Sequence, residues 1–94
     1  MNSKQYIIEL ARTFPSLRHS VPRDPEKWDV DQFMNSLGRA SSGERQAMLF
    51  VATVWNPIYA ESQGWIFKIP EAFGSWDAAH RDAFVEWAKF PVWP

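Results

Sequence analysis

The sequence contains no cysteine, which excludes disulfide bonds, thiolate metal ligands and a cysteine nucleophile. Histidine is also scarce, and the only two, His19 and His80, lie far apart in the chain. Two distant histidines without cysteine are a weak basis for a zinc site. We therefore expect that the protein binds no metal ion and no other cofactor.

Glycine is equally scarce, and the four glycines are scattered along the chain. No glycine-rich phosphate loop is present, since Ser42-Gly43-Glu44 lacks the lysine that follows in a P-loop. The Gly-x-Ser-x-Gly elbow of serine hydrolases is missing as well. The pair Asp29 and Asp31 lies in the first turn of a predicted helix, where carboxylates stabilise the helix end rather than hydrolyse a substrate. These absences predict that the protein is not an enzyme.

The sequence has neither an excess of one charge nor a long apolar run. Ten basic and eleven acidic residues leave a net charge of −1, so nucleic acid is not the expected partner. The longest apolar stretch, 47–54, is interrupted by Thr53 and is far shorter than the ~20 residues that a membrane span needs. The start of the chain has no secretory signal pattern. We therefore expect a cytoplasmic protein without a membrane segment.

Hydrophobic residues are plentiful, and they recur at helical spacing. They form 46% of the 94 residues, which suits one core and leaves no room for a second. Four segments show the periodicity of amphipathic or buried helices. The predicted fold is therefore all-α, with residues 1–94 forming a single compact helical domain. It is a small bundle of four to five helices around a central apolar helix at about 42–55, with an irregular segment at 57–74.

Capping signals predict where several helices begin and end. Asp29 at the start of a helix over 29–37 is an N-cap residue, and Trp28 and Phe33 are spaced for a hydrophobic staple. Gly38 then supplies a left-handed stop.

The central helix has equally clear ends. A capping box, Ser41 with Glu44, starts it, and Asn56-Pro57 stops it. Apolar residues cover most of its sides, which is typical of a helix packed by several neighbours.

The segment 57–74 has mixed patterns. Residues 58–63 are consistent with two helical turns closed by Gly64, 65–69 with a buried extended segment, and 71–73 with a single turn. A last amphipathic helix then runs to about Lys89, before a tail that contains two prolines.

The six tryptophans are the most unusual feature of the composition. Four have a place in the predicted core, whereas Trp65 and Trp93 belong to no helical stripe. Trp93 lies in the tail between Pro91 and Pro94, where it either folds back onto the bundle or anchors a partner. Exposed aromatic and arginine side chains are enriched at protein interfaces.

A small basic cluster, including Arg18 and Arg23, lies in the loop after the first helix. We interpret the chain as a protein–protein interaction module or accessory protein with no catalysis of its own. Its predicted partner-binding residues are Trp65, Trp93, Arg18 and Arg23. The partner is another protein, with a homodimer as the alternative.

Two other functions are consistent with parts of the sequence. The helices 29–37 and 42–55 have the order of a helix-turn-helix, which suggests a DNA-binding transcriptional regulator. The outward strip of its second helix would be Arg45, Gln46, Leu49 and Thr53. His80 suggests a catalytic base, although a histidine at the edge of a core more often bonds a carbonyl or carboxylate.

Overall fold

The computed structural model describes residues 2–94, and within that range the chain forms six α-helices and no β-strand. The helices are α1 (Ser3–Thr13), α2 (Val30–Met34), α3 (Ser42–Trp55), α4 (Pro57–Ser62), α5 (Ile69–Ser75) and α6 (Ala78–Lys89). Three 3-10 turns lie in the connections, at Pro15–Leu17, Pro25–Lys27 and Leu37–Arg39. The all-α prediction is confirmed. None of these helices has the length and apolar character needed to cross a lipid bilayer.

The central helix of the fold is α3. Its side chains are buried continuously from Gln46 to Ala52 and again at Val54. α1, α2, α4, α5 and the 3-10 turn at Pro15–Leu17 all contact it. A helix that is apolar on most sides is stable only when several neighbours cover it. The predicted central helix at 42–55 is therefore confirmed, with the same bounds.

Asn56 makes the sharp corner between α3 and α4. Its backbone N–H donates to the Ala52 carbonyl and so closes α3. Its side-chain oxygen accepts the Tyr59 N–H at 3.0 Å and so opens α4. Pro57 occupies the first position of α4, where a backbone N–H would have no partner within the helix, so proline costs no hydrogen bond there. One residue thus ends one helix and caps the next.

The prediction of an irregular segment at 57–74 needs correction, because α4 and α5 both lie in it. α4 ends at Ser62, Gly64 follows with φ +75°, and the Trp65 N–H bonds the Ala60 carbonyl at 2.9 Å. Residues 65–68 form neither helix nor strand, but the predicted burial of 65–69 is wrong, because Ile66 is 46% exposed and Ile69 begins α5. α5 is longer than the single turn expected, because Pro70 is tolerated in its first turn. The structure therefore has six α-helices within residues 2–94, one more than the four to five predicted.

The helix predicted over 29–37 is also shorter than expected. α2 ends at Met34, and the Asn35 N–H bonds the Gln32 carbonyl in a tightened last turn. Gly38 has no positive φ and lies in the 3-10 turn at Leu37–Arg39, so the predicted left-handed stop is wrong. The start was predicted correctly, since the Asp29 carboxylate accepts two backbone N–H groups.

Replacing Gly64 tests the turn that follows α4. Gly64→Ala should destabilise the protein by about 1 kcal/mol, because L-residues pay to adopt positive φ. Gly74→Ala is the matched control. A methyl group at position 74 meets no atom within 4 Å, and glycine inside a helix is less stable than alanine by up to about 1 kcal/mol. Urea unfolding of both variants should therefore give shifts of opposite sign.

Candidate binding surface

An apolar groove of about 660 Å³ runs between α1 and α6. We call it the α1–α6 groove, and its apolar lining includes Tyr6, Leu10, Pro15, Ala83, Trp87 and Val92. The two helices are antiparallel here, since Tyr6 lies beside Trp87 and Ser16 contacts His80. Partial burial at this end raises the pKa of the Tyr6 hydroxyl.

The spacing of residues on both helices explains the groove. On α1, Ile7, Ile8, Leu10 and Ala11 are buried, whereas the neighbouring Tyr6 is only partly buried and lies at the edge of the core. On α6, Ala79 and Ala83 face the groove one turn apart. Their short side chains leave a trough that larger residues would fill.

Charged side chains line the rim of the groove. Glu9, Asp82 and Glu86 bring carboxylates to it, and Arg18 lies at the end near Pro15. Glu86 is paired with Lys89 at 2.9 Å. The groove therefore has an apolar floor, acidic sides and a basic end.

A second depression, of about 570 Å³, adjoins the basic end of the groove. We call it the arginine notch, and it is lined by Arg12, Arg18, His19, Val21 and Arg23. Arg18 lines both the notch and the groove. The two predicted basic contacts, Arg18 and Arg23, therefore share one site, and α1 adds Arg12 to it.

The loop that carries the notch also borders a third recess, of about 460 Å³, which reaches α2. His19 and Val21 line both depressions. Trp28 and Phe33 form its apolar side, with their rings 5.1 Å apart as the predicted staple requires. Residues 18–23 thus stand at the junction of three adjoining depressions.

The two predicted tryptophans lie in different places. Trp93 is 56% exposed and packs edge-on against Trp87 at 5.2 Å, so it extends the aromatic end of the groove. The Trp93 ring therefore folds back against the bundle but remains largely exposed to solvent. Trp65 lies away from the groove, against Tyr59 at 5.7 Å, in a small recess between α3 and α4. The structure thus brings Arg18 and Arg23 together in the notch, places Trp93 beside Trp87 at the opposite end of the groove, and leaves Trp65 outside this surface.

Two of the four residues in the strip proposed to face DNA are buried. Gln46 and Leu49 are each only 7% exposed, so the prediction of an outward face on α3 is wrong for both. The preceding helix, α2, has five residues instead of nine. The reason is that α5 packs over this side of α3, where the Gln46 amide faces the Glu71 carboxylate at 3.4 Å.

His80 takes part in a chain of three polar side chains. Its Nδ1 lies 2.8 Å from the Asp77 carboxylate, and its Nε2 lies 2.8 Å from the Ser16 hydroxyl. His80 is 8% exposed, and its bond to a carboxylate confirms the expected core-edge role. Asp77 also accepts the His80 backbone N–H as the N-cap of α6. Sequence reasoning missed Ser16, which is 64 positions away.

The order of these groups is that of a serine hydrolase triad. Acyl transfer also needs N–H donors that face the developing oxyanion. The Ser16 N–H instead points to His80 Nε2 at 3.4 Å, and neither residue lines the groove or the notch. What the geometry provides is a firm link between the turn after α1 and the start of α6.

Comparison with known proteins gave no match among protein families, curated proteins or solved structures. The class that the described residues define is a small all-helical domain with a surface groove.

The Asp77 cap should make stability depend on acid pH. The His80 backbone N–H and then the His80 ring lower the pKa of the Asp77 carboxyl below its usual 3.8. This stabilisation is present above the unfolded pKa and is lost as pH falls through the folded one. Asp77→Asn keeps the cap oxygen but not the charge. Its melting temperature should therefore be lower than that of the wild type near pH 6, and should fall less than the wild-type value as the pH is lowered.

The control for this experiment is Asp82→Asn, which removes a carboxylate from the same helix away from its first turn. Melting curves between about pH 6 and pH 2.5 should show the wild-type acid dependence in this variant. If Asp77→Asn retained the full dependence, the cap would not be its source.

Proposed function

We propose that this chain is a protein–protein interaction module, an accessory or regulatory protein with no catalysis of its own. In this proposal an amphipathic helix of a partner protein lays its apolar face into the α1–α6 groove. The observation that carries the proposal is the open apolar floor between α1 and α6. Apolar surface in water is unfavourable, and a hydrophobic groove is the kind of surface into which an amphipathic helix docks.

The residue types in the groove support a protein partner. Tyr6 and Trp87 lie at one end and Arg18 at the other. Tryptophan, tyrosine and arginine are the residues that most often dominate the binding energy of protein interfaces. Trp93 and Phe90, which are 56% and 84% exposed, add aromatic surface beside Trp87.

The shape and charge of the groove favour a helix as the occupant. A trough between two antiparallel helices accepts the apolar stripe of a third helix. The rim carboxylates of Glu9 and Asp82 then face the polar flanks of that helix, where lysine or arginine would complement them. Charges at the rim of an apolar interface select the partner and its orientation more than they add affinity.

Filling the groove is the direct test. Ala79→Phe places a large side chain on the groove floor, whereas Ala78→Phe places it on the adjacent exposed position outside the groove. A photo-crosslinking residue at Glu9 identifies the partner in the organism that encodes the protein. We then expect Ala79→Phe to weaken binding of the purified partner by about tenfold or more.

Ala78→Phe should leave that affinity within about twofold, and both variants should melt near the wild type. Equal affinity of the two variants for the partner would contradict the groove as the docking site. Light scattering decides the homodimer alternative. A molar mass of twice 10.9 kDa that Ala79→Phe returns to 10.9 kDa would identify a second copy as the occupant.

Replacing Trp93 shows whether its ring stabilises the core or binds the partner. Its ring is more than half exposed and rests on Trp87. Trp93→Ala should therefore cost less than about 1 kcal/mol of stability and should weaken partner binding several-fold. Trp76→Ala is the contrasting control, because that ring is buried and should cost about 3–5 kcal/mol. A large stability loss in Trp93→Ala would assign the ring to the core.

A further inference from the structure

We propose that the arginine notch is an oxyanion-binding site that holds the acidic end of the helix docked in the α1–α6 groove. The inference extends the proposed function and rests on it for the identity of the partner. It starts from the juxtaposition of three arginines in one recess that opens directly onto an apolar groove.

The arginines of the notch have no carboxylate partner within residues 2–94. The ion pairs found there join Lys4 to Glu26, His80 to Asp77 and Lys89 to Glu86. The two acidic residues that follow Arg23 in the sequence are engaged elsewhere. Asp24 accepts the Glu26 backbone N–H at 3.0 Å, and Glu26 faces Lys4 at 3.9 Å. The chain thus supplies three positive charges to the recess and does not neutralise them with ion pairs.

The chemistry of the notch suits a carboxylate or a phosphoryl group. A guanidinium presents a planar set of N–H donors that pairs with either anion through two parallel hydrogen bonds. Arg12 is held in place because one of its terminal nitrogens donates to the Pro22 carbonyl at 3.1 Å. A held arginine loses less conformational entropy when an anion binds. His19 also lines the notch.

The surroundings favour a short acidic segment of a protein over a nucleic acid. A phosphate chain that leaves the notch along the groove would meet the carboxylates of Glu9, Asp82 and Glu86. The net charge of −1 adds no long-range attraction for a polyanion. A protein helix avoids this repulsion, because its anionic group is confined to one end. Arg18, which lines both depressions, places that acidic end near Pro15.

The notch can be tested without the partner. The probes are inorganic phosphate, a blocked Glu-Glu peptide and a blocked phosphoserine peptide, added to the full chain at about 50 mM salt, where screening is weak. NMR of the arginine Nε–H groups should show saturable shifts for Arg12, Arg18 and Arg23, and none for Arg39, which lies outside the notch. The tighter of the two peptides identifies carboxylate or phosphoryl as the natural anion.

The double variant Arg18→Gln/Arg23→Gln should abolish these shifts, and Arg39→Gln should not. Both replaced side chains are exposed, so the fold should be retained, as the melting temperature checks. Shifts of equal size at every arginine would overturn the proposal. So would a DNA duplex that binds the notch more tightly than either peptide, since that result assigns the arginines to nucleic acid.

The captured partner separates this inference from the proposed function. Arg18→Gln/Arg23→Gln should weaken its binding about tenfold and flatten the salt dependence, because charged contacts are screened by salt. Unchanged binding in this variant, with binding lost in Ala79→Phe, would retain the groove and overturn the notch. Binding unaffected by Ala79→Phe, with anion shifts intact, would overturn the groove alone.

Discussion

The burial of α3 on nearly every side is the constraint on which the remaining architecture depends. In the middle of α3, Phe50 contacts four aromatic rings whose centres lie 5.0–5.7 Å from its own: Phe14, Phe67, Phe84 and Trp87. Such tilted or edge-on pairs add about 0.5–1.5 kcal/mol each beyond the area that they bury. Phe50 thereby holds the end of α1, the segment after α4 and, through Phe84 and Trp87, part of α6 against one helix.

The groove follows from this arrangement. α1 packs its most apolar face against α3, and α6 turns Phe84 and Trp87 towards Phe50 of α3. Neither helix therefore fully covers the edge that it presents to the other. An amphipathic helix buries one apolar stripe, and when that stripe is wider than its contact with the core, some apolar residues remain at the edge. The short side chains of Ala79 and Ala83 then leave the space between the two helices open as a trough. The candidate surface is thus a by-product of core packing that this chain lines with aromatic and charged groups.

The link between Ser16, His80 and Asp77 places the basic end of that surface. By joining the turn after α1 to the start of α6, it holds the chain just before Arg18 at the mouth of the groove. A buried histidine that is hydrogen-bonded at both ring nitrogens satisfies the polar groups that burial would otherwise leave unpaired. The polar link and the aromatic cluster therefore act together. The first positions the loop at 18–23, and the second positions the helices beside it.

Local signals in the sequence determined the helix starts, because a cap involves residues three positions apart. Asp29 and Ser41 were recognisable on that ground, as was the apolar character of 42–55. The outward strip on α3 was predicted wrongly, because Gln46 is covered by α5, which lies far along the chain. The groove, the notch and the bond from Ser16 to His80 bring together distant residues, so only the tertiary structure decided them. The physical reason is range: backbone caps and periodicity are short-range, whereas an interface exists only after the helices have packed.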